Sequence, residues 1–409
     1  PLPPPFFAFS RDIVRRINFI SRMNADQIIV IGAGVAGLAA GRKLLDAGLA
    51  PIILEARNRI GGRILTVHDS NSLFPVELGA EFVHGRHPVL WKVLDDSGVP
   101  VEPAAGGGNW DELDRIFDAM ARAPEQSFAE FIAGVDAPEY LKQAATGFVE
   151  GFNAAYKERV SVEWLNHENT ASDAIDGDRS FRVRSGYDSV PSFLAQNLEI
   201  RLNTAVRKLT WRCGEVVAET DAGNLRASKA IVTVPIAVLL AGRFIIDPEP
   251  DALSIARDAV GAGQAIRVTF RFRDPVRQTG FLHGDQPFPV CWTDGRVVTV
   301  WAAGPKADAL HGSDAEQLKQ IALSSLRGIL GENPGEPEGA WLHDWGADPW
   351  SLAAYSFVCV GGMAAQRKLC EPVEDTIYFA GEAFAPSGHI GTVHGALASG
   401  MKAAALAME

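Results

Sequence analysis

The sequence predicts an α/β protein in which an apolar strand ending in glycine or an acid recurs near both ends of the chain, around a middle that mixes helices and strands. Three observations predict it. Four consecutive apolar residues, Ile28 to Ile31, run into Gly32-Ala33-Gly34-Val35-Ala36-Gly37 and then into an apolar helical pattern that stops at Gly48. A second apolar strand, Pro51 to Leu54, delivers Glu55, 23 positions after Gly32, near the roughly 20-residue offset at which an acid meets a ribose hydroxyl. Towards the other end, Thr376 to Phe379 leads through Ala380 and Gly381 to Glu382, followed by a small-residue pattern from Gly388 to Gly400.

The first unit reads as strand, glycine turn, helix. Gly32 permits the tight turn, and Gly34 lets the backbone N–H groups of the first turn, around Ala36, approach a pyrophosphate at the positive end of the helix. Gly37 lets helix and strand pack closely. A chance glycine-rich turn is the bland alternative; both strands, the Gly48 stop and the acid argue against it.

A chain of 409 residues has room for two or three domains. Its apolar fraction of 47% and charged fraction of 22% are those of a globular enzyme and exclude collagen, coiled coil and general disorder. The formal charge of −12 disfavours nucleic-acid partners and mildly attracts cations, although solubility alone accounts for such a surplus. Cys213, Cys291, Cys359 and Cys370 form no CxxC and no zinc-ligand spacing, so no metal is expected. Few cysteines suggest a reducing, cytoplasmic setting. No apolar run approaches the roughly 20 residues that span a bilayer, so no integral membrane segment is expected.

Residues 1–26 stand apart from the nucleotide unit. Phe9, Ile13, Ile17 and Ile20 recur near helical spacing among Arg11, Arg15, Arg16 and Arg22. This extension reads as a surface helix or as a peripheral membrane or partner contact. After Glu55 comes Ala56-Arg57-Asn58-Arg59-Ile60-Gly61-Gly62-Arg63. Its glycines free the backbone, and its guanidiniums suit phosphates or a flavin carbonyl.

From Pro88 to Arg179 the pattern is helical, including Ser127 to Ala133 and Pro138 to Ala155, and suggests a cap over a pocket. Gly106-Gly107-Gly108 reads as a loop, since no strand precedes it as a phosphate cradle requires. Beyond Phe181 to Tyr187, a helix ends near Leu198 and a strand follows over Ile200 to Val206. Further strands, Trp211 to Ala218 and Asn224 to Val234, flank a turn at Asp221 to Asn224. Gln264 to Phe272 alternates as a strand, Phe281 to Ala302 supplies more strands, and Glu316 to Leu330 is an amphipathic helix.

GAGVAGLAA with LEARNRIGGR, Val76-Glu77-Leu78-Gly79-Ala80-Glu81-Phe82-Val83-His84-Gly85, and GTVHGALASG resemble the flavin-containing amine oxidase family. The resemblance implies a Rossmann-like FAD-binding domain built from discontinuous segments, 27–87, 180–258 and 346–409. It pairs this with an α+β substrate-binding domain, 88–179 and 259–345. Gly79, Ala80, Glu81 and Phe82 would pass beside the flavin ring, and the Val206 backbone would lie near the adenine. Gly381 and Glu382 would meet the ribityl or pyrophosphate portion. Thr392 and Val393 would open a helix whose positive end stabilises charge on the reduced flavin.

His84 would face the substrate, although a lone histidine is equally a hydrogen-bonded core or loop residue. Tyr355 falls at an aromatic wall of the substrate cage. Ala354 falls where monoamine oxidases carry the cysteine that tethers FAD, which implies noncovalent FAD. Thr392 replaces their second cage tyrosine, and His394 is expected to make a structural hydrogen bond. Arg267 aligns with a lysine that holds a water at flavin N5; it stays protonated and cannot act as a base. The alternative is a solvated strand residue.

The activity implied is hydride transfer from the α-carbon of a small amine to flavin N5, imine hydrolysis, and reoxidation by dioxygen to hydrogen peroxide. Oxidation of an amino acid or of a secondary-metabolite bond is a second reading, with Arg267 or Arg86 as carboxylate clamp. A catalytically impaired flavin-binding assembly protein is a third. No long helical tower or nucleosome-binding module supports histone demethylation, and oligomeric state is left open.

Overall fold

The computed structural model describes residues 27–72, 75–104, 111–293, 295–385 and 388–409. The N-terminal extension and the Gly106-Gly107-Gly108 loop lie outside the described residues. Ile28–Ile31 is the centre of a five-stranded parallel sheet ordered Ile377–Phe379, Lys229–Val232, Ile28–Ile31, Ile52–Leu54, Glu199–Arg201. Ile28 and Val30 pack on one face with the helices Val35–Asp46 and Val393–Ala407. Ile29 and Ile31 pack on the other with Leu209 and Val216. Both faces are covered, which is why the strand is an unbroken apolar run. Strands that neighbour one another come from widely separated stretches of chain, so this α/β unit is discontinuous in sequence.

Glycine sets the spacing of these layers. A Cβ on Gly37 would stand 1.9 Å from the Gly32 carbonyl oxygen, and one on Gly400 would stand 2.0 Å from that of Ala36. The first helix is thus held against the strand turn on one side and the last helix on the other by direct backbone approach.

A second five-stranded sheet is antiparallel, in the order Gly280–His283, Val290–Thr293, Val297–Ala303, Ala265–Arg271, Gly339–Asp344. Val268 and Phe270 from its centre pack with Leu318 and Leu326 of the helix Ala315–Leu330. The helices Asp111–Met120, Phe128–Gly134, Glu139–Phe152 and Val162–Asp173 share a separate core. Ser127 and Glu130 form a capping box at the start of the second of these.

Several boundaries differ from the sequence reading. The helix expected to run to Ala155 stops at Phe152, because Ala154 has φ +48°, a conformation that ends right-handed helix. Ile200 to Val206 is not one strand: Asn203 has φ +51°, and the chain leaves the parallel sheet there to start Val206–Arg212 in another. Trp211 to Ala218 is likewise broken at Gly214, φ +74°, into a hairpin of Val206–Arg212 with Glu215–Thr220. Asn224 to Val234 divides into Gly223–Ala227 of that antiparallel sheet and Lys229–Val232 of the parallel one. Each break falls at two consecutive non-apolar residues, Asn203-Thr204, Gly214-Glu215 and Ser228-Lys229. Among the described residues no helix is long and apolar enough to cross a membrane.

Candidate active site

One cavity of about 2370 Å³ runs between the parallel sheet, the antiparallel sheet and the helical cluster. Around the first strand it is lined by Gly32, Gly34, Ala36, Glu55, Ala56, Arg57, Gly62 and Arg63, with Val206 beside them. Around the last helix it is lined by Gly381, Glu382, Thr392 and Val393. Gly79, Ala80, Glu81, Phe82, His84, Arg267 and Tyr355 complete the walls. Gly37, packed behind Gly32, and the candidate clamp Arg86 are off the wall.

The helix Val35–Asp46 starts at Gly34 with no side-chain cap and no acid in its first turn. Its leading N–H groups and dipole therefore remain available to an anion in the cavity. Gly34 approaches Gly62 closely, a Cβ on Gly62 standing 3.2 Å from the Gly34 Cα, so the two glycines make a bare backbone floor. Glu55 is buried and accepts from the N–H groups of Ala33 at 2.6 Å and Arg57 at 2.9 Å. A carboxylate has about four acceptor positions, so capacity for ribose hydroxyls is left. Burial pushes its pKa up against those hydrogen bonds and the nearby guanidiniums of Arg57 and Arg59.

The guanidiniums expected to meet phosphates are engaged within the protein. Arg57 makes a two-pronged pair with Asp348, both at 2.8 Å, and a third bond to Ser351 Oγ. Arg59 donates to the carbonyls of Ile60, Gly62 and Ile64. Arg63 donates to the Ala354 carbonyl and to Glu382, each at 2.8 Å. Arg57 and Arg63 pin the second glycine turn to the 348–354 segment and Glu382, and Arg59 braces the turn from within. Glu382 accepts from Arg63 at Oε1 and from Ser356 N–H, Ser356 Oγ and the Gly391 N–H at Oε2. These bonds orient the chain beside Tyr355.

Arg267 is 2% exposed, which excludes the solvated-strand reading. Its guanidinium donates to Glu81, to the Gly79 carbonyl at 3.0 Å and to Thr299 Oγ1 at 3.3 Å, and lies over the Trp292 ring at 5.0 Å. Arg182 meets the other Glu81 oxygen at 2.8 Å, and Trp292 Nε1 donates to Glu81 at 3.0 Å. Burial alone would raise the Glu81 pKa; Arg267 and then Arg182 bring it below the ordinary value. The Arg267 Nε–H is buried without a protein partner.

Tyr355 Oη donates to the Phe152 carbonyl at 2.5 Å, and burial beside Glu382 raises its pKa. The Phe152 ring stands edge-on to His84 at 5.8 Å. His84 Nδ1 lies 3.3 Å from Ser180 Oγ, and burial lowers its pKa to about 4, so the imidazole is neutral. Phe82, Phe281 and Trp292 contact one another at 5.4 to 5.9 Å and extend this aromatic wall. His394 Nε2 lies 3.2 Å from His389 Nδ1, and His87 stacks on His394 at 4.7 Å. Burial and mutual repulsion lower the pKa of His389 to about 4 and of His394 to about 2. Among the described residues no group of three side chains is placed to hold a metal ion.

Phe152, Phe281, Trp292 and Arg182 escape sequence reasoning because each comes from a different element and carries no motif. The alternation Phe181-Arg182-Val183 was the one available signal, since it sets Arg182 opposite the two apolar positions of its strand.

The family model described as flavin containing amine oxidoreductase matches residues 35–163 and 111–408. The chain belongs to this family. It is a flavin amine oxidase, an enzyme that uses a flavin to oxidise an amine. Polyamine oxidase 4 of Oryza sativa subsp. japonica is 27% identical to this amine oxidase, covering 92% of its chain and 87% of the relative. Polyamine oxidase 2 of Arabidopsis thaliana is 27% identical over 96% and 91%. A putrescine oxidase solved with putrescine bound has the same fold, with TM-score 0.78, 24% identity and coverage of 93% and 98%. So has the cyclohexylamine oxidase of Brevibacterium oxydans IH-35A, with TM-score 0.80, 20% identity and coverage of 93% and 98%.

Proposed function

We propose that this enzyme oxidises a small aliphatic amine using noncovalent FAD, yielding an imine that hydrolyses to an aldehyde or ketone. The observation that carries the reading is the single cavity joining an uncapped helix N-terminus and a half-filled acid, Glu55, to an aromatic wall around Tyr355. These fit the group: the helix N–H groups suit its pyrophosphate, Glu55 a ribose, and the Val206 backbone the adenine. When bound, FAD supplies at N5 the acceptor for a hydride from the amine α-carbon and passes both electrons to dioxygen as hydrogen peroxide. Tyr355, Phe152 and Phe82 orient the substrate and exclude water from it. Neutral His84 accepts or donates one hydrogen bond to the amine without adding charge. Arg267 fixes the Glu81 segment, leaving its Nε–H as the donor for a water.

In this reading residues 27–87, 180–258 and 346–409 hold FAD, and 88–179 and 259–345 hold the amine. Among the described residues no cysteine lines the cavity, in keeping with noncovalent attachment. All four cysteines are free, which suits a reducing compartment such as the cytoplasm. The polyamine and putrescine oxidases among its relatives favour an aliphatic substrate. The amino-acid reading loses support, because Arg267 is committed to Glu81 and Arg86 stacks on Trp91 at 4.3 Å.

An anaerobic panel of amines mixed with the flavin-loaded enzyme tests the proposal: bleaching by at least one aliphatic amine is expected, and bleaching by none overturns it. Acid precipitation should leave the flavin in the supernatant, and stoichiometric peroxide on admitting air would identify dioxygen as acceptor.

A further inference from the structure

Glu77 is buried just ahead of Gly79, Ala80 and Glu81, which line the cavity. That stretch is fixed at several points. The Leu78 N–H donates to the Leu65 carbonyl at 2.7 Å, the Leu78 carbonyl accepts from Trp345 Nε1 at 3.0 Å, and the Gly79 carbonyl accepts from Arg267 at 3.0 Å. Glu77 itself accepts from the Tyr187 N–H at 2.8 Å through one oxygen and from Thr66 Oγ1 at 2.7 Å through the other. Thr66 Oγ1 in turn accepts from the Asp188 N–H at 3.2 Å. A hydroxyl donates one hydrogen bond and accepts two, so by turning its O–H Thr66 serves an ionised Glu77 as donor or a protonated one as acceptor. Both states of the carboxyl find a partner in one backbone geometry.

The charges on the cavity side of Glu77 do not cancel without it. Arg267 and Arg182 both pair with Glu81 and keep it ionised. Two guanidiniums against one carboxylate leave one positive charge in the wall. Glu77 faces this group from behind, where Arg267 favours its ionised form and Glu81 opposes it. On its other sides, among the described residues, Glu77 meets no free charge. Tyr187 is a buried phenol with its pKa raised, and the Asp188 carboxylate beyond Thr66 is paired to His68 at 2.8 Å in contact with solvent. Burial, opposed by the two hydrogen bonds, lifts the Glu77 pKa to about 7. With Glu77 ionised the four side chains are neutral together; with Glu77 protonated they carry one positive charge.

We propose that Glu77 sets, from behind the wall, the sign of ligand charge that the cavity favours: ionised, it lets the wall accept a cation, and protonated, it leaves a positive wall that repels a cation and holds an anion. Glu77 touches no ligand, so it is a specificity-determining residue that acts through Arg267 and Glu81. The ionised state is the working one for an enzyme whose substrate arrives as an ammonium. This rests on the amine-oxidase reading of the same cavity. The switch is one proton exchanged between the Glu77 carboxyl and solvent, with no other bond made or broken.

The test uses the FAD-loaded enzyme and two non-oxidisable probes of fixed charge and similar length, pentyltrimethylammonium and hexane-1-sulfonate, titrated calorimetrically between pH 6 and pH 8.5. Glu168 also lines the cavity, and burial raises its pKa to about 8, so it is replaced by Gln throughout to remove its titration. As pH rises through 7, affinity for the cation should increase about fivefold and affinity for the sulfonate should fall about fivefold, the effect of one unit charge in a partly screened wall. Glu77→Gln keeps the shape without the charge and should hold both affinities at their acid-side values across the range. Glu77→Asp should keep opposed profiles with a displaced midpoint. Profiles of the same sense for both probes, or opposed profiles that persist in Glu77→Gln, overturn the proposal. If Glu77→Gln yields no folded holoenzyme, Glu77→Asp decides, and an undisplaced midpoint overturns it. Opposed profiles abolished by Glu77→Gln in an enzyme whose flavin no amine bleaches would overturn the amine-oxidase reading and leave the role of Glu77 standing. Bleaching by amines with pH-independent binding of both probes would do the reverse.

Discussion

Glu55 and Glu382 each stand just past an apolar strand of the same parallel sheet and each lines the same cavity, yet Glu55 accepts from two backbone N–H groups while Glu382 accepts from four protein donors. The helices beside them differ in the same sense. Val35–Asp46 has no side-chain cap, whereas Thr392 caps Val393–Ala407 through the Gly395 N–H at 2.9 Å. Near the first strand, hydrogen-bonding capacity is left over for a ligand; near the last, much of it is consumed in holding Ser356, Gly391 and Arg63 around Tyr355. An acid on a cavity wall is thus identified as ligand-binding by its unfilled capacity, not by its position.

Four substitutions would break or sharpen that contrast. The largest effect is expected from Gly37→Val, because the new side chain would collide with the Gly32 carbonyl and force helix from strand. Loss of folded, flavin-loaded protein is expected, read as absent flavin absorbance and no cooperative melt. Glu382→Gln should follow, leaving Arg63 without its ionic partner; a loss of about 3 kcal/mol is expected, at the low end for a buried pair because Arg63 is partly exposed. Both apoprotein and holoenzyme should melt earlier in calorimetry.

Glu77 is a useful third carboxylate, buried and accepting from only Tyr187 N–H and Thr66 Oγ1. Burial raises its pKa from 4.5 to about 7. A raised acid favours the protonated folded state, so the stability it contributes is complete below pH 4.5 and lost as pH rises through 7. The loss is about 3 kcal/mol at most. In Glu77→Gln the decline of melting temperature between those two pH values should flatten; an unchanged slope would exclude Glu77 as its source. Glu55→Gln should act on the ligand rather than the fold, weakening FAD about 30-fold, or ~2 kcal/mol, with the apoprotein melt nearly unmoved. Fluorescence titration of apoprotein with FAD measures it. An equal fall in apoprotein stability would make Glu55 another structural hub.

The end of the cavity around the first strand was the more legible in sequence. Gly32, Gly34, Gly37 and Glu55 lie within one strand–turn–helix–strand unit, where local backbone geometry dictates the residue types. Arg57 and Arg63 were legible as guanidiniums of one cluster but not in their use, because their partners Asp348, Ser351, Ala354 and Glu382 lie about 300 positions away. The aromatic end was legible at Phe82, His84, Arg267 and Tyr355, through the family resemblance. Phe152, Phe281 and Trp292 belong to three different elements and become neighbours of one cavity only when the chain is folded.

The α/β class, the strand–glycine turn–helix unit and the family were carried by the residues alone, since these depend on patterns within a few tens of residues. Only the tertiary structure decided which polar groups remain unsatisfied. Arg267 is taken by Glu81, while Glu382 accepts four hydrogen bonds and Glu55 two. Those states depend on partners brought together from distant segments, and hydrogen-bond saturation is a property of the assembled neighbourhood rather than of any stretch of chain.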